Sequence, residues 1–301
     1  MKRSRWQRWN PAAVALALLL ASCATEKVLS EQEYHQKATA SMKEGTYDLA
    51  IQNYQKLLEE YPFSDYSEEA QLKIGQAQYL NEQYAEAIAS FQDFQRMHPT
   101  NPNLALTEYY TALSYIDQMG KKDRDQRAAE NAQAHFQTLL ARYPGSPFSD
   151  EAKRRLKECR EVLADHEFTI ARFYLIWTNP IGAEARLRRL LENYPDTDVA
   201  GAALAHFGRY FRKRGDLTRS ALAFASLIAQ YPNNPDIAEA SATVAELKEK
   251  KIVIPEAPLP ALVETLGRPS VATSRPAETP AQTAAAGSDP EPKPAPPSAR
   301  N

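Results

Sequence analysis

Asp48–Tyr66 reads DLAIQNYQKLLEEYPFSDY, and the fold is decided on this stretch. Leu49, Ala50, Tyr54, Leu57 and Leu58 recur at three- and four-residue spacing, which places them on one face of a helix of period 3.6. Tyr61-Pro62 predicts its end, because proline lacks the N–H that the helical ladder needs and holds the residue before it in extended backbone. The same phrase returns as FQDFQRMHP, FQTLLARYP, LRRLLENYP and FASLIAQYP. The closing prolines, Pro62, Pro99, Pro144, Pro195 and Pro232, stand 37, 45, 51 and 37 residues apart. Self-similarity at such a period marks a solenoid built from one repeated supersecondary unit.

Small residues identify the unit. Twelve positions before each proline stands a small residue (Ala50, Ala87, Ala132, Ala183, Ser220), and eight before it a bulky one (Tyr54, Phe91, Phe136, Leu187, Phe224). In repeats 1, 2, 4 and 5 a second small residue lies a further twelve positions back, at Ala38, Gly75, Ala171 and Gly208. Small side chains let two antiparallel helices approach closely, and the bulky residue fills the space beside them. The pattern resembles the tetratricopeptide repeat, whose period is about 34 residues. The expected fold class is all-α, a tetratricopeptide-like α-solenoid of five helical-hairpin repeats.

At the start of the chain, Lys2, Arg3, Arg5 and Arg8 precede an apolar run from Ala12 to Leu20. That run is shorter than the roughly 20 residues a membrane span needs, and it fits a secretory signal peptide over residues 1–22. Leu20-Ala21-Ser22-Cys23 resembles the lipobox of bacterial lipoproteins, which implies cleavage before Cys23 and its acylation. Acyl chains contribute about 0.8 kcal/mol per buried CH₂, so several on one cysteine anchor a protein without a span. By the same resemblance, Ala24 after that cysteine implies sorting to the outer membrane, on its periplasmic face. An ordinary signal peptide cut near Ala21 or Ala24 is the alternative.

Removing the leader takes four of the 36 Lys and Arg and none of the 38 Asp and Glu, so the formal charge falls from −2 to −6. An acidic chain without clustered cations argues against nucleic acid as a partner. Cys159 is then the sole thiol besides Cys23, so no disulfide framework exists, and its helical setting reads as a small buried hydrophobe.

Residues 23–29 form a short lipidated spacer, and residues 30–146 hold repeats 1–3. Repeat 3 carries an insertion from Met119 to Gln126, of the kind solenoids place on surface loops. Residues 147–252 hold a long helix, repeats 4 and 5, and a capping helix from about Pro235 to Lys251. No glycine or proline interrupts Ser149–Thr178, which predicts one connecting helix between repeats 3 and 4, roughly 30 residues and about 45 Å long. Residues 253–301 are rich in Pro, Ala, Ser and Thr and read as a disordered tail.

Catalytic chemistry finds no footing. His35, His98, His135, His166 and His206 are scattered without HExxH spacing, and neither a GxSxG elbow nor a phosphate-cradling glycine loop occurs. Side chains of the Asp165-His166-Glu167 run diverge on a helix. The reading is therefore no enzyme, no cofactor and no metal. A solenoid offers instead an extended surface for another chain. The repeat pattern places His35, Leu72, Tyr79, Tyr109 and Leu113 on the groove side of repeats 1–3, with Tyr66 at a junction between repeats. Aromatics there suit an extended peptide or pack between helices. Arg186, Arg188 and Arg189 form a basic cluster able to pair with a partner's carboxylates or to face solvent.

The order of these features resembles the BamD family of outer-membrane assembly lipoproteins. The resemblance spans roughly residues 23–235. It rests on the lipobox cysteine, the five repeats, Tyr61-Pro62-Phe63 with Tyr66, and His98-Pro99 with Asn101-Pro102. The Asp123-Arg124-Asp125 loop, Arg142-Tyr143-Pro144 and Glu167 through Tyr174 complete it. It implies a scaffold of the β-barrel assembly machinery, with accessory assembly lipoproteins and unfolded outer-membrane proteins at the amino-terminal repeats. The carboxy-terminal repeats would dock a BamA-like barrel subunit, with Arg186 the first candidate for that face. The alternative is a tetratricopeptide lipoprotein acting as a secretin pilotin or a coordinator of cell-wall synthesis.

Overall fold

Paired antiparallel helices follow one another along the chain. The computed structural model describes residues 28–118 and 126–267. Repeats 1–3 are α1 (Glu31–Glu44) with α2 (Tyr47–Glu60), α3 (Ser67–Leu80) with α4 (Tyr84–Met97), and α5 (Leu104–Asp117) with α6 (Arg127–Arg142). The long α7 (Ser149–Ile176) leads to α8 (Pro180–Asn193), then α9 (Asp198–Lys213) with α10 (Leu217–Gln230), α11 (Ile237–Glu249) and α12 (Pro258–Thr265). Each helix packs on the next from α1 to α11, and α12 folds back onto α10. The fold is an all-α tetratricopeptide-like solenoid. The signal peptide, Cys23, the Asp123-Arg124-Asp125 loop and the chain beyond Gly267 lie outside the described residues.

The five stops share one geometry. Tyr61, His98, Tyr143, Tyr194 and Tyr231 sit at φ between −133° and −125° and ψ between 42° and 64°. Each donates its backbone N–H to the carbonyl four residues back, at 2.8–2.9 Å. The proline that follows cannot extend the ladder, so the chain turns. The stop residue also ties turns together: the Tyr61 hydroxyl donates to the Leu29 carbonyl at 3.0 Å, and Tyr231 does the same to Pro195 one repeat back.

Close helix approach has its own mark. A Cβ on Gly75 would meet the Phe91 ring at 2.7 Å, and one on Gly208 would meet Phe224 at 2.9 Å. In repeat 3 the insertion from Met119 to Gln126 shifts the register by eight. Ala112 takes the place, fully buried in one cluster with Ala132 and Phe136.

Helix α7 ends at Ile176 rather than Thr178, because Thr178 adopts a left-handed φ of 54°. Its exposed first half is laced by three- and four-residue ion pairs, Glu151 with Arg154 and Arg155, and Glu158 with both. Such pairs contribute a few tenths of a kcal/mol each. Its second half serves as the first helix of repeat 4: Ala171 packs in one cluster with Ala183 and Leu187.

One expectation is corrected. Residues 253–267 are not tail, because α12 buries Leu259, Leu262 and Leu266 against the carboxy-terminal core. Pro258 stands at the first position of this helix, where its missing N–H costs nothing. Composition averaged over a long proline-rich segment hid a three-leucine stripe. Together α11 and α12 cover the last repeat, as a solenoid end requires.

Gly208→Val should destabilise the protein by about 1–3 kcal/mol through overpacking against Phe224. A lowered urea midpoint with unchanged slope is the expected result.

Candidate interaction site

The predicted groove residues fall into three successive packing clusters. In the first, His35 of α1 stacks on Tyr66 with centroids 4.4 Å apart and rings within 20° of parallel. Its Nε2 lies 3.2 Å from Glu69 of α3, so the contact bridges repeats 1 and 2. In the second, Tyr79 meets Tyr110 edge-on at 5.2 Å and leans on Tyr84 at 5.8 Å. Burial, reinforced by Asp117, pushes the Tyr79 phenol above its ordinary range. In the third, Tyr109 stacks on Phe148 at 4.8 Å and approaches Phe136 edge-on at 6.3 Å, with Leu113 in the same cluster. Burial likewise raises the Tyr109 phenol.

Leu72 is corrected. It is 7 % exposed and packs with Ala87, Phe91 and Phe94, so its side chain belongs to the core. The other five, His35, Tyr66, Tyr79, Tyr109 and Leu113, are half-buried and keep an accessible part. Tyr110 and Phe148 join these clusters without having been singled out in the sequence. Tyr110 signals itself only as the neighbour of Tyr109, and Phe148 lies in a turn outside the helical periodicity.

The histidines of the first three repeats each meet a polar side chain on a first helix. His98 contacts Gln71 at 2.6 Å, and His135 contacts Glu108 at 2.6 Å, each 27 residues back on the adjoining first helix. Each ties the second helix of its repeat to the first, in repeats 2 and 3. Among the described residues no group of three or more His, Cys, Asp or Glu is placed to hold a metal ion. Cys159 is fully buried, and burial pushes its thiol up to about 11. An un-ionised, enclosed thiol is inert.

The basic cluster is split by the fold. Arg186 Nη1 lies 3.0 Å from Glu167 Oε2, and Arg189 Nε lies 3.1 Å from Glu167 Oε1, so two arginines of α8 hold one buried carboxylate of α7. That hydrogen bond raises the Arg186 guanidinium further above its ordinary value. Arg188 turns away and donates to the Leu266 carbonyl at the end of α12. Nearby, Arg219 joins Glu184 at 2.7 Å and Asp216 at 2.5 Å beneath the Phe211 ring, and the Gly267 N–H donates to Glu184 at 3.2 Å. Buried charges of this kind need full pairing to be tolerated. The arginines thus serve the fold first, whatever else they meet.

Geometry of this kind defines a tetratricopeptide-type solenoid with half-buried aromatic junctions along its first helices. Residues 28–219 match the outer membrane lipoprotein family YfiO. The outer membrane protein assembly factor BamD of Vibrio cholerae is 31% identical over 204 residues, covering 64% of this chain and 85% of that one. BamD of Xylella fastidiosa is 29% identical over 214 residues, covering 68% and 73%. BamD of Neisseria meningitidis is 25% identical over 247 residues, covering 75% and 92%. The chain belongs to the YfiO outer membrane lipoprotein family, which these BamD proteins share.

Arg186→Ala with Arg189→Ala should strand Glu167 and cost roughly 2–4 kcal/mol, at or below the usual range for a broken buried pair because both arginines are partly exposed. Adding Glu167→Gln should recover most of the loss in urea unfolding.

Proposed function

We propose that this chain is a lipid-anchored scaffold of the β-barrel assembly machinery, acting without catalysis on the periplasmic face of the outer membrane. The observation that carries the reading is the match to BamD relatives over most of their length, together with the family match that begins before α1 and runs into repeat 5. Cys23 is the proposed site of lipidation. Unfolded segments of outer-membrane proteins are proposed to bind the aromatic junctions at Tyr79 and Tyr109, whose half-buried rings offer flat apolar surface at low entropic cost. Accessory assembly lipoproteins share these amino-terminal repeats in this reading.

A BamA-like barrel subunit is the proposed partner of the carboxy-terminal repeats. There Arg189, more open than Arg186, is the better placed of the α8 arginines to meet a partner's carboxylate. The curated relatives are assembly factors by name, which supports this reading over a secretin pilotin or a cell-wall coordinator.

Depleting the protein in its own cell should lower β-barrel proteins in the outer membrane, and the wild-type chain should restore them. Tyr79→Ala with Tyr109→Ala should restore them poorly at equal protein level and unchanged helicity. Undisturbed barrel levels on depletion would sink the assembly role; full restoration by the double variant would move the substrate surface elsewhere.

A further inference from the structure

Exposed large hydrophobic side chains are scattered singly over the described surface except at one place. Phe173, Ile176, Trp177 and Ile181 are 54%, 77%, 69% and 59% exposed, all within nine residues at the turn from α7 to α8. Phe173 and Trp177 lie 5.8 Å apart, so the aromatics form one patch. Single exposed hydrophobes are ordinary, whereas a contiguous group marks a surface that something else covers.

Charge around the patch says what covers it. Between Phe168 and Leu191 the one carboxylate is Glu184, which is buried against Arg219. Arg172 is exposed with its guanidinium 5.7 Å from the Phe168 ring centroid. Arg186 and Arg189 share the single charge of Glu167, which leaves an excess of one cation beside the patch. Two polar side chains of the tip are already engaged: Asn179 accepts from the Gly182 N–H at 3.0 Å to cap α8, and Tyr174 is engaged by Arg186. Tryptophan and phenylalanine with aliphatics, with arginine and no exposed carboxylate on the same stretch of chain, suit the headgroup boundary of an anionic bilayer.

We propose that the α7–α8 turn is a membrane-docking tip, seating Phe173, Ile176, Trp177 and Ile181 in an anionic phospholipid surface. The contact is separate from the acyl anchor and from the assembly role, and it adds a second point of attachment to the same membrane. No helix among the described residues is long and apolar enough to cross a membrane, so the contact is peripheral.

Trp177 reports on this directly, because the other two tryptophans, Trp6 and Trp9, fall in the leader. The unlipidated chain from residue 24 onward is mixed with vesicles of phosphatidylethanolamine and phosphatidylglycerol, or of phosphatidylcholine alone. Emission should move to shorter wavelength on the anionic vesicles and be quenched by spin-labelled lipid. Ile176→Ser with Ile181→Ser should weaken partition at least about tenfold, with helicity unchanged. Arg172→Gln should reduce the preference for anionic vesicles. Emission that no vesicle alters overturns the proposal. So does a shift that survives the double substitution, or one produced by a soluble periplasmic fraction and not by lipid.

Discussion

Two helices that touch at a residue without a side chain, beside a ring that fills the gap, are the contact from which the solenoid is built. Gly75 against Phe91 and Gly208 against Phe224 are its tightest instances. Ala38 with Tyr54, Ala112 with Phe136 and Ala171 with Leu187 are the same contact with a methyl to spare. Interiors packed this densely tolerate neither a void nor an added methylene, so the pairing sets how far apart the helices lie and at which turn they meet. Everything placed on the first helices inherits that register, including the aromatic junctions and the Gln71 and Glu108 that His98 and His135 contact.

The stop residue contributes a second constraint. Tyrosine or histidine before proline ends each second helix with one backbone geometry, and three of these side chains then bond back along the chain, Tyr61 to Leu29 ahead of α1, His98 to Gln71 on α3 and Tyr231 to Pro195 after α8. A solenoid is stabilised by neighbour-to-neighbour contacts of this kind, summed along the chain. The two repeat groups differ in how they are bound together. Repeats 1–3 use stacked rings and histidine–carboxylate rungs, whereas repeats 4 and 5 use arginine clamps. Arg160 holds Asp196, Arg209 holds Asp236 and Glu239, and Arg212 holds Glu246. These clamps hold Asp196 and Glu239 below the usual carboxylate range, so their share of stability is present above ordinary carboxylate pKa values and is lost as the pH falls through the lowered ones.

Fold was legible because proline, glycine and alanine act locally: each dictates backbone or clearance at its own position, whatever lies elsewhere. Ala112 escaped only because an eight-residue insertion moved it out of step. Sites were less legible, since an accessible ring and a packed one share the same spacing. Leu72 and Tyr79 lie on the same helix, and only the positions of Phe91 and Phe94 make one core and leave the other half open. Arg186, Arg188 and Arg189 read as one cluster along the chain. The helical turn sends them to two destinations, and the partner of Arg188 is a carbonyl 78 residues on. Glu167 and Leu266 are not visible as partners until the chain is folded.

The proposed role is one of holding partners, so the decisive measurement is of its company. The detergent-solubilised protein, tagged after Asn301, is purified from its own cell and the proteins that come with it are identified by mass. Recovery of a large barrel subunit with soluble periplasmic domains is the result this account predicts. Recovery of a secretin or a cell-wall synthase, with no barrel subunit, would contradict it.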